Sequence, residues 1–169
     1  MGQAWILLGM MGAGKSSVGR ALAELSEREF FDTDVLIQQR LGRTIPQIFE
    51  MYGEQNFRDH ESSILAQMSA EATVLATGGG IVLRPENWIE MRRLGTTVFL
   101  DAKPEVIVNR LEQSRRKRPL LESADWKDRV ISILAERRGL YEQADHIIPI
   151  TEDSLQDAAI RLFTLLGAK

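Results

Sequence analysis

The chain has no cysteine in 169 residues, which excludes disulfides, thiolate catalysis and every Cys-based zinc site at once. Histidine is almost as scarce. His60 and His146 are the only two, too far apart in sequence to suggest a His-rich metal centre, and both read as bystanders. No apolar run approaches the roughly 18 residues of a membrane-spanning helix. The opening run at 4–8, Ala-Trp-Ile-Leu-Leu, has no cation before Lys15, so it reads as a buried strand rather than a secretory leader. Met1-Gly2 is similar to a myristoylation start, but Ile6 stands where that signal wants Ser or Thr. An excess of one charge is missing too. A net charge of −3 creates no global field for nucleic acid or an acidic membrane, so cations that matter must act locally. With 44% hydrophobic and 27% charged residues, the expectation is one soluble cytoplasmic domain with a continuous core.

What is present begins at Gly9-Met10-Met11-Gly12-Ala13-Gly14-Lys15-Ser16-Ser17. This stretch fits G-x-x-x-x-G-K-[ST] and lies between a strand-like run and a helix-like segment, the context a phosphate-binding P-loop requires. Glycines at 9, 12 and 14 let the backbone turn tightly and aim its N–H groups inward, forming an anion site at the positive end of the next helix. Lys15 would reach the β- and γ-phosphates as a point charge, and the Ser16 hydroxyl would offer a hard oxygen to Mg²⁺. The loop implies a nucleotide polyphosphate and leaves the phosphoryl acceptor open.

Short apolar runs then alternate with segments of helical period. Val18, Leu22 and Leu25 mark an amphipathic helix, and Phe30-Phe31 is a strand ending at Asp32-Thr33-Asp34. A helix over 35–42 closes on Gly42, a second opens at 45–49 with Pro46 in its first turn, and 53–69 reads as one long helix. Strands at 74–76, 97–100 and 147–148 alternate with helices at 85–94, 104–111, 125–143 and 154–166, the last capped by Ser154. Such alternation predicts an α/β sandwich around a mostly parallel sheet. Ligands of open parallel sheets sit beyond the carboxyl ends of the strands. That rule gathers the loop, Asp32 to Asp34, a triple glycine after the third strand and a basic break at 115–118 around one cleft.

Asp32 and Asp34 are two acids at a strand end. On extended backbone both would face the phosphates while Thr33 turns away, one serving Mg²⁺ and the other accepting a proton from an attacking hydroxyl. Either can instead simply cap the following helix. Asp101, after Thr97-Val98-Phe99-Leu100, competes as a Walker B acid, and Asp32 is preferred because a second acid stands beside it. Arg58 and Glu61 are three apart, so Glu61 can hold the guanidinium for a carboxylate or phosphate, although such spacing equally describes a surface ion pair. Gly78-Gly79-Gly80 suggests close approach of a ligand to the main chain, or a sharp turn. The basic run before Pro119 suits a lid over the phosphates or a solvated face.

In order and spacing these residues resemble the shikimate kinases. The resemblance rests on the P-loop, Asp32-Thr33-Asp34, Ile45 to Phe49, Phe57-Arg58 with Glu61, Thr77 to Gly80, Arg118-Pro119-Leu120-Leu121, and Arg137 with Leu140-Tyr141. It implies a P-loop NTPase fold of the nucleoside-monophosphate-kinase-like class, a three-layer α/β sandwich with a five-stranded parallel sheet in the order 2-3-1-4-5. It implies one kinase domain over 1–169 with substrate-binding helices at about 34–62 and a lid at about 112–124. The implied reaction is ATP-dependent phosphorylation of the 3-hydroxyl of shikimate, on the route to chorismate and the aromatic amino acids, by a monomer that needs no nucleic acid or membrane. Carried over, Gly12, Ala13, Gly14, Lys15, Ser16 and Ser17 would bind ATP with Arg110 and Arg118, and Ser16 with Asp32 would serve Mg²⁺. Asp34 would be the base, with Lys15 and Arg118 neutralising the moving phosphoryl. Arg58 and Arg137 would hold the substrate carboxylate, Glu61 would orient Arg58, and Phe49 and Phe57 would wall the pocket. Gly78, Gly79 and Gly80 would line the ring hydroxyls. The family often carries Pro where Gly139 stands, so the alignment rests on Leu140-Tyr141 and leaves Arg138 as the alternative to Arg137.

Overall fold

The five short apolar runs pair side by side in one sheet. The computed structural model describes residues 3–114, 123–151 and 155–167. Its strands are β1 (Ala4–Leu8), β2 (Glu29–Asp32), β3 (Thr73–Ala76), β4 (Gly95–Ala102) and β5 (His146–Ile150). They run in the order β2-β3-β1-β4-β5, every neighbouring pair parallel, as the resemblance implies. All five residues of β1 are buried, which explains why the run is continuously apolar rather than alternating.

The connecting helices are α1 (Lys15–Ser26), α2 (Thr33–Leu41), α3 (Ile45–Gln67), α4 (Pro85–Leu94), α5 (Pro104–Gln113) and α6 (Trp126–Tyr141), and α7 (Leu155–Gly167) follows β5. From β1 to β2 the chain steps one way across the sheet, and its three later strand-to-strand steps go the other way. Right-handed crossovers then place α1 on one face and the helices from α2 to α6 on the opposite face. α7 packs against α1, completing three layers. The apolar stripe of Val18 and Leu22 is buried against the sheet, at roughly 1.5–3 kcal/mol for each large aliphatic side chain removed from water.

A second, smaller apolar cluster joins α2 to α3 through Ile37, Ile48, Phe57 and Ile64. This cluster gives the α2–α3 arm a packed interior of its own. Helix α3 opens with a capping box, in which Thr44 Oγ1 accepts from the Gln47 N–H while Gln47 Oε1 accepts from the Thr44 N–H, and Pro46 occupies its first turn. The two helices expected at 45–49 and 53–69 are joined in α3 across a break at Gly53, whose φ of 80° and ψ of 170° are not helical. That region is essentially glycine-only, and residues forced into it cost about 1–3 kcal/mol. A Cβ at Gly53 would meet nothing within 4 Å, so Gly53→Ala is expected to lose about 1–3 kcal/mol of stability in urea unfolding through backbone strain alone. An unchanged denaturation midpoint would contradict that account.

Strand register brings the site together. Leu7 and Asp32 both lie beside Ala76, so the P-loop, the end of β2 and the triple glycine leave the sheet at one edge. Thr77 ties this edge by donating to the Leu7 carbonyl from its N–H and its hydroxyl, at 3.2 and 2.9 Å. Among the described residues, no helix is long and apolar enough to cross a membrane.

Candidate active site

The P-loop closes on itself through the Ala13 N–H donating to the Met10 carbonyl at 3.1 Å. Gly12 and Gly14 carry φ values of 78° and 97°, left-handed backbone that L-side chains adopt only with strain. Gly14 is the N-cap of α1, which puts Lys15 and Ser16 in the first turn at the helix's positive end. Buried Lys15 lies back along the loop, its Nζ donating to the Gly9 and Met10 carbonyls at 2.6 and 2.9 Å. Ser17 is exposed one residue further on. Arg110, from α5, donates to the Ala13 carbonyl at 2.8 Å, and a Cβ on Gly14 would lie 3.1 Å from its Nη1. Burial lowers the Arg110 pKa, yet its guanidinium stays charged beside the anion site.

The two acids after β2 separate. Helix α2 starts at Thr33, so the extended backbone that would aim Asp32 and Asp34 alike ends at Asp32. Asp32 caps this helix through Oδ1, accepting the Asp34 N–H at 3.0 Å, and its Oδ2 accepts the Ser16 hydroxyl at 2.7 Å. Capping and proximity to the P-loop therefore coexist in one side chain. Thr33 is fully buried, and its Oγ1 accepts the Gly78 N–H at 3.0 Å. Asp34, in the first turn of α2, is turned to Gly78, where a Cβ would lie 3.0 Å from its Oδ1 and 2.5 Å from Glu61 Oε1.

The protein's own atoms already come close to the triple glycine. The Arg58 guanidinium lies over Gly80 so closely that a Cβ there would sit 2.2 to 2.4 Å from Nη1, Cζ and Nη2. Gly79 faces the P-loop, 3.5 Å from the Gly9 carbonyl oxygen by the same measure. Arg58 Nη1 donates to Glu61 Oε2 at 2.6 Å and Nη2 to Glu54 Oε1 at 3.1 Å. Glu61 is fully buried, so this pair is no solvated surface contact. Burial raises the Glu61 pKa against the opposing pull of Arg58, and the nearby Asp34 charge adds to the rise. The Arg58 pKa also rises: burial lowers it, and the two carboxylates of Glu61 and Glu54 together outweigh that. Phe49 and Phe57 stand beside this cluster with ring centroids 4.8 Å apart.

Helix α6 supplies the other cation. Arg138 is committed elsewhere, in a two-pronged pair with Asp101 at 2.9 and 2.8 Å and a further pair with Glu142. Arg137 instead brings its charge near the Tyr141 hydroxyl, where it opposes the rise that burial causes in the Tyr141 pKa, and lies near enough to Glu61 to oppose the rise in its pKa. Arg118 and most of the expected lid at 112–124 lie outside the described residues.

Beyond this polyphosphate loop facing a cluster of acids and guanidiniums, similarity to known proteins extends over nearly the whole chain. A family model described as shikimate kinase matches residues 11–165. The chain belongs to the shikimate kinase family. Within that family it is 46% identical to a shikimate kinase from Synechococcus sp. (strain JA-3-3Ab), over 88% of this chain and 78% of the relative. It is 43% identical to one from Symbiobacterium thermophilum, over 95% of this chain and 94% of the relative. A solved shikimate kinase from Acinetobacter baumannii, in complex with shikimate, superposes with a TM-score of 0.92 at 37% identity, covering 100% of this chain and 96% of that one. The family's matched span holds every site residue named above from Gly12 to Arg137.

Two members of this shikimate kinase site carried no role in the sequence reading. Tyr141, fully buried and stacked on Phe99, donates to the Gly79 carbonyl at 2.6 Å and so ties the glycine strand-end to α6. Glu54 shares Arg58 with Glu61. Tyr141 belonged to a quoted motif, but its partner is 62 residues away in sequence. Glu54 had only an i,i+4 spacing, which is common on any helix.

Proposed function

We propose that this site transfers the γ-phosphoryl group of ATP to the 3-hydroxyl of shikimate. Membership of the family makes the chain an ATP-dependent kinase acting on shikimate, in the route to chorismate and the aromatic amino acids. The observation that carries the reading is the convergence of Asp34, Glu61 and Arg58 on the glycines beside the P-loop. An acid is thereby set next to a carboxylate-binding cation, across from a phosphate cradle.

In the proposed mechanism, Arg58 and Arg137 hold the shikimate carboxylate and so select which ring hydroxyl faces ATP. Glu61, locked by burial, fixes the Arg58 fork, and Phe49 and Phe57 wall the ring. Asp34 accepts the proton of the attacking hydroxyl. Lys15 and Arg118 neutralise charge on the moving phosphoryl, whose loose transition state needs positioning and electrostatics more than covalent help. Arg110 lies along the nucleotide side.

Mg²⁺ suits the residues present. Ser16 Oγ and Asp32 Oδ2 are neighbours at 2.7 Å, two hard oxygens at the loop's end. Among the described residues no group of three or more His, Cys, Asp or Glu is arranged to hold a metal alone. Mg²⁺ is ordinarily held by one or two protein oxygens together with substrate phosphates and water, and when bound it would offset phosphate charge. The proposal includes a single domain over 1–169 with the arm at about 34–62 and a lid at about 112–124, acting as a cytoplasmic monomer.

The test is ADP release measured by a coupled assay with shikimate, gluconate and nucleoside monophosphates side by side. Turnover is expected with shikimate and only at background rate with the others. ADP release at the same rate without shikimate would overturn the reading.

A further inference from the structure

Every bidentate approach to a guanidinium uses Nη2, either with Nη1 at the end of the fork or with Nε along its side. On Arg58, Nη1 is taken by the fully buried Glu61 and Nε is itself buried. One face of the guanidinium lies on Gly80. Nη2 is held at 3.1 Å by Glu54, whose side chain is 60% exposed against 12% for Arg58. The break at Gly53 begins the second half of α3 at Glu54, so Glu54, Arg58 and Glu61 follow at spacings of four and three on one helix face. The two carboxylates hold Arg58 differently. Glu61 is an anchor that cannot leave, whereas Glu54 is tethered at the solvent side and free to swing into water.

We propose that Glu54 is a built-in competitor for the substrate carboxylate on Arg58, one that shikimate must displace from Nη2 and that holds down its affinity. The inference rests on the reading of Arg58 as a carboxylate site. With Glu54 still in place, a docked substrate would put three carboxylates around one guanidinium, a repulsive arrangement. With Glu54 swung out, Nη2 regains both hydrogens for the ligand, and the lost ion pair is an exposed one of small worth. The competitor therefore weakens binding most for a ligand that brings a full carboxylate charge to Arg58, because that ligand must displace it or suffer its repulsion.

The experiment measures calorimetric Kd for shikimate and for its uncharged methyl ester, with kcat alongside, in wild type, Glu54→Gln, Arg58→Ala and the double variant. Glu54→Gln is expected to tighten shikimate about two- to five-fold, the range set by an exposed pair. It should have no effect in the Arg58→Ala background. The ester, with no carboxylate to compete for Nη2, should gain less from Glu54→Gln, which widens the preference for the free acid. Weaker or unchanged shikimate binding in Glu54→Gln, with Arg58→Ala still impairing it, would overturn the inference alone and make Glu54 a support for Arg58. Unchanged shikimate binding in Arg58→Ala would overturn the carboxylate reading of Arg58 and the inference with it.

Discussion

Asp34→Asn is expected to lower kcat by about 10²- to 10⁴-fold, the range a positioned general base contributes. The substitution keeps the shape of the side chain and removes its ability to take a proton. Asp34 sits in the first turn of α2, on the arm carrying Arg58 and Glu61, and its Oδ1 is aimed at Gly78. Its place in the helix is independent of its charge, because the cap of α2 is Asp32. The thermal midpoint and the KM for ATP should therefore stay near wild type while turnover collapses. Steady-state kinetics with a melting curve on the same preparation separate these outcomes. Turnover near wild type would remove Asp34 from the proton path.

Gly80→Ala is expected to lower kcat/KM for shikimate by about 10²-fold, the loss typical of a misplacement near 1 Å, while changing the melting temperature little. The added Cβ would fall 2.2 Å from Arg58 Nη1 and 2.4 Å from Nη2. Those atoms end a flexible side chain, so the clash is relieved by moving the guanidinium rather than the backbone. Gly80 itself has a φ of −95°, which alanine tolerates. The guanidinium is also pinned by Glu61 and Glu54, so movement breaks at least one of these contacts and rotates the fork away from the substrate. Kinetics and a thermal melt check both halves, and a native kcat/KM would show that the fork's position on Gly80 does not matter.

The P-loop was legible because its physics is contiguous. The turn, the inward N–H groups and the helix start are made by neighbouring residues, so strand, loop and α1 could be placed from local pattern. The strands were legible for the same reason. Short, mostly apolar runs bounded by turns fit a sheet covered on both faces.

Asp32 and Asp34 show where local reading stops. Their one-residue spacing would aim them alike only on extended backbone, and whether α2 begins at Thr33 or later depends on the cap and on Thr33 meeting Gly78 across the sheet. The choice between Arg137 and Arg138 was likewise closed to sequence. Adjacent positions on α6 point about 100° apart, and only the packing of α6 sends Arg138 to Asp101 and Arg137 toward Tyr141.

By itself, then, the sequence determined an α/β chain with a polyphosphate loop, and by resemblance a family. The tertiary structure decided how the acceptor half is assembled. Glu61, Asp34 and Arg137 come from three helices and come together only because the order β2-β3-β1-β4-β5 brings distant strand ends to one edge. Long-range packing of that kind leaves no periodic trace in the chain, since each residue contributes one side chain to a contact whose partner is many residues away.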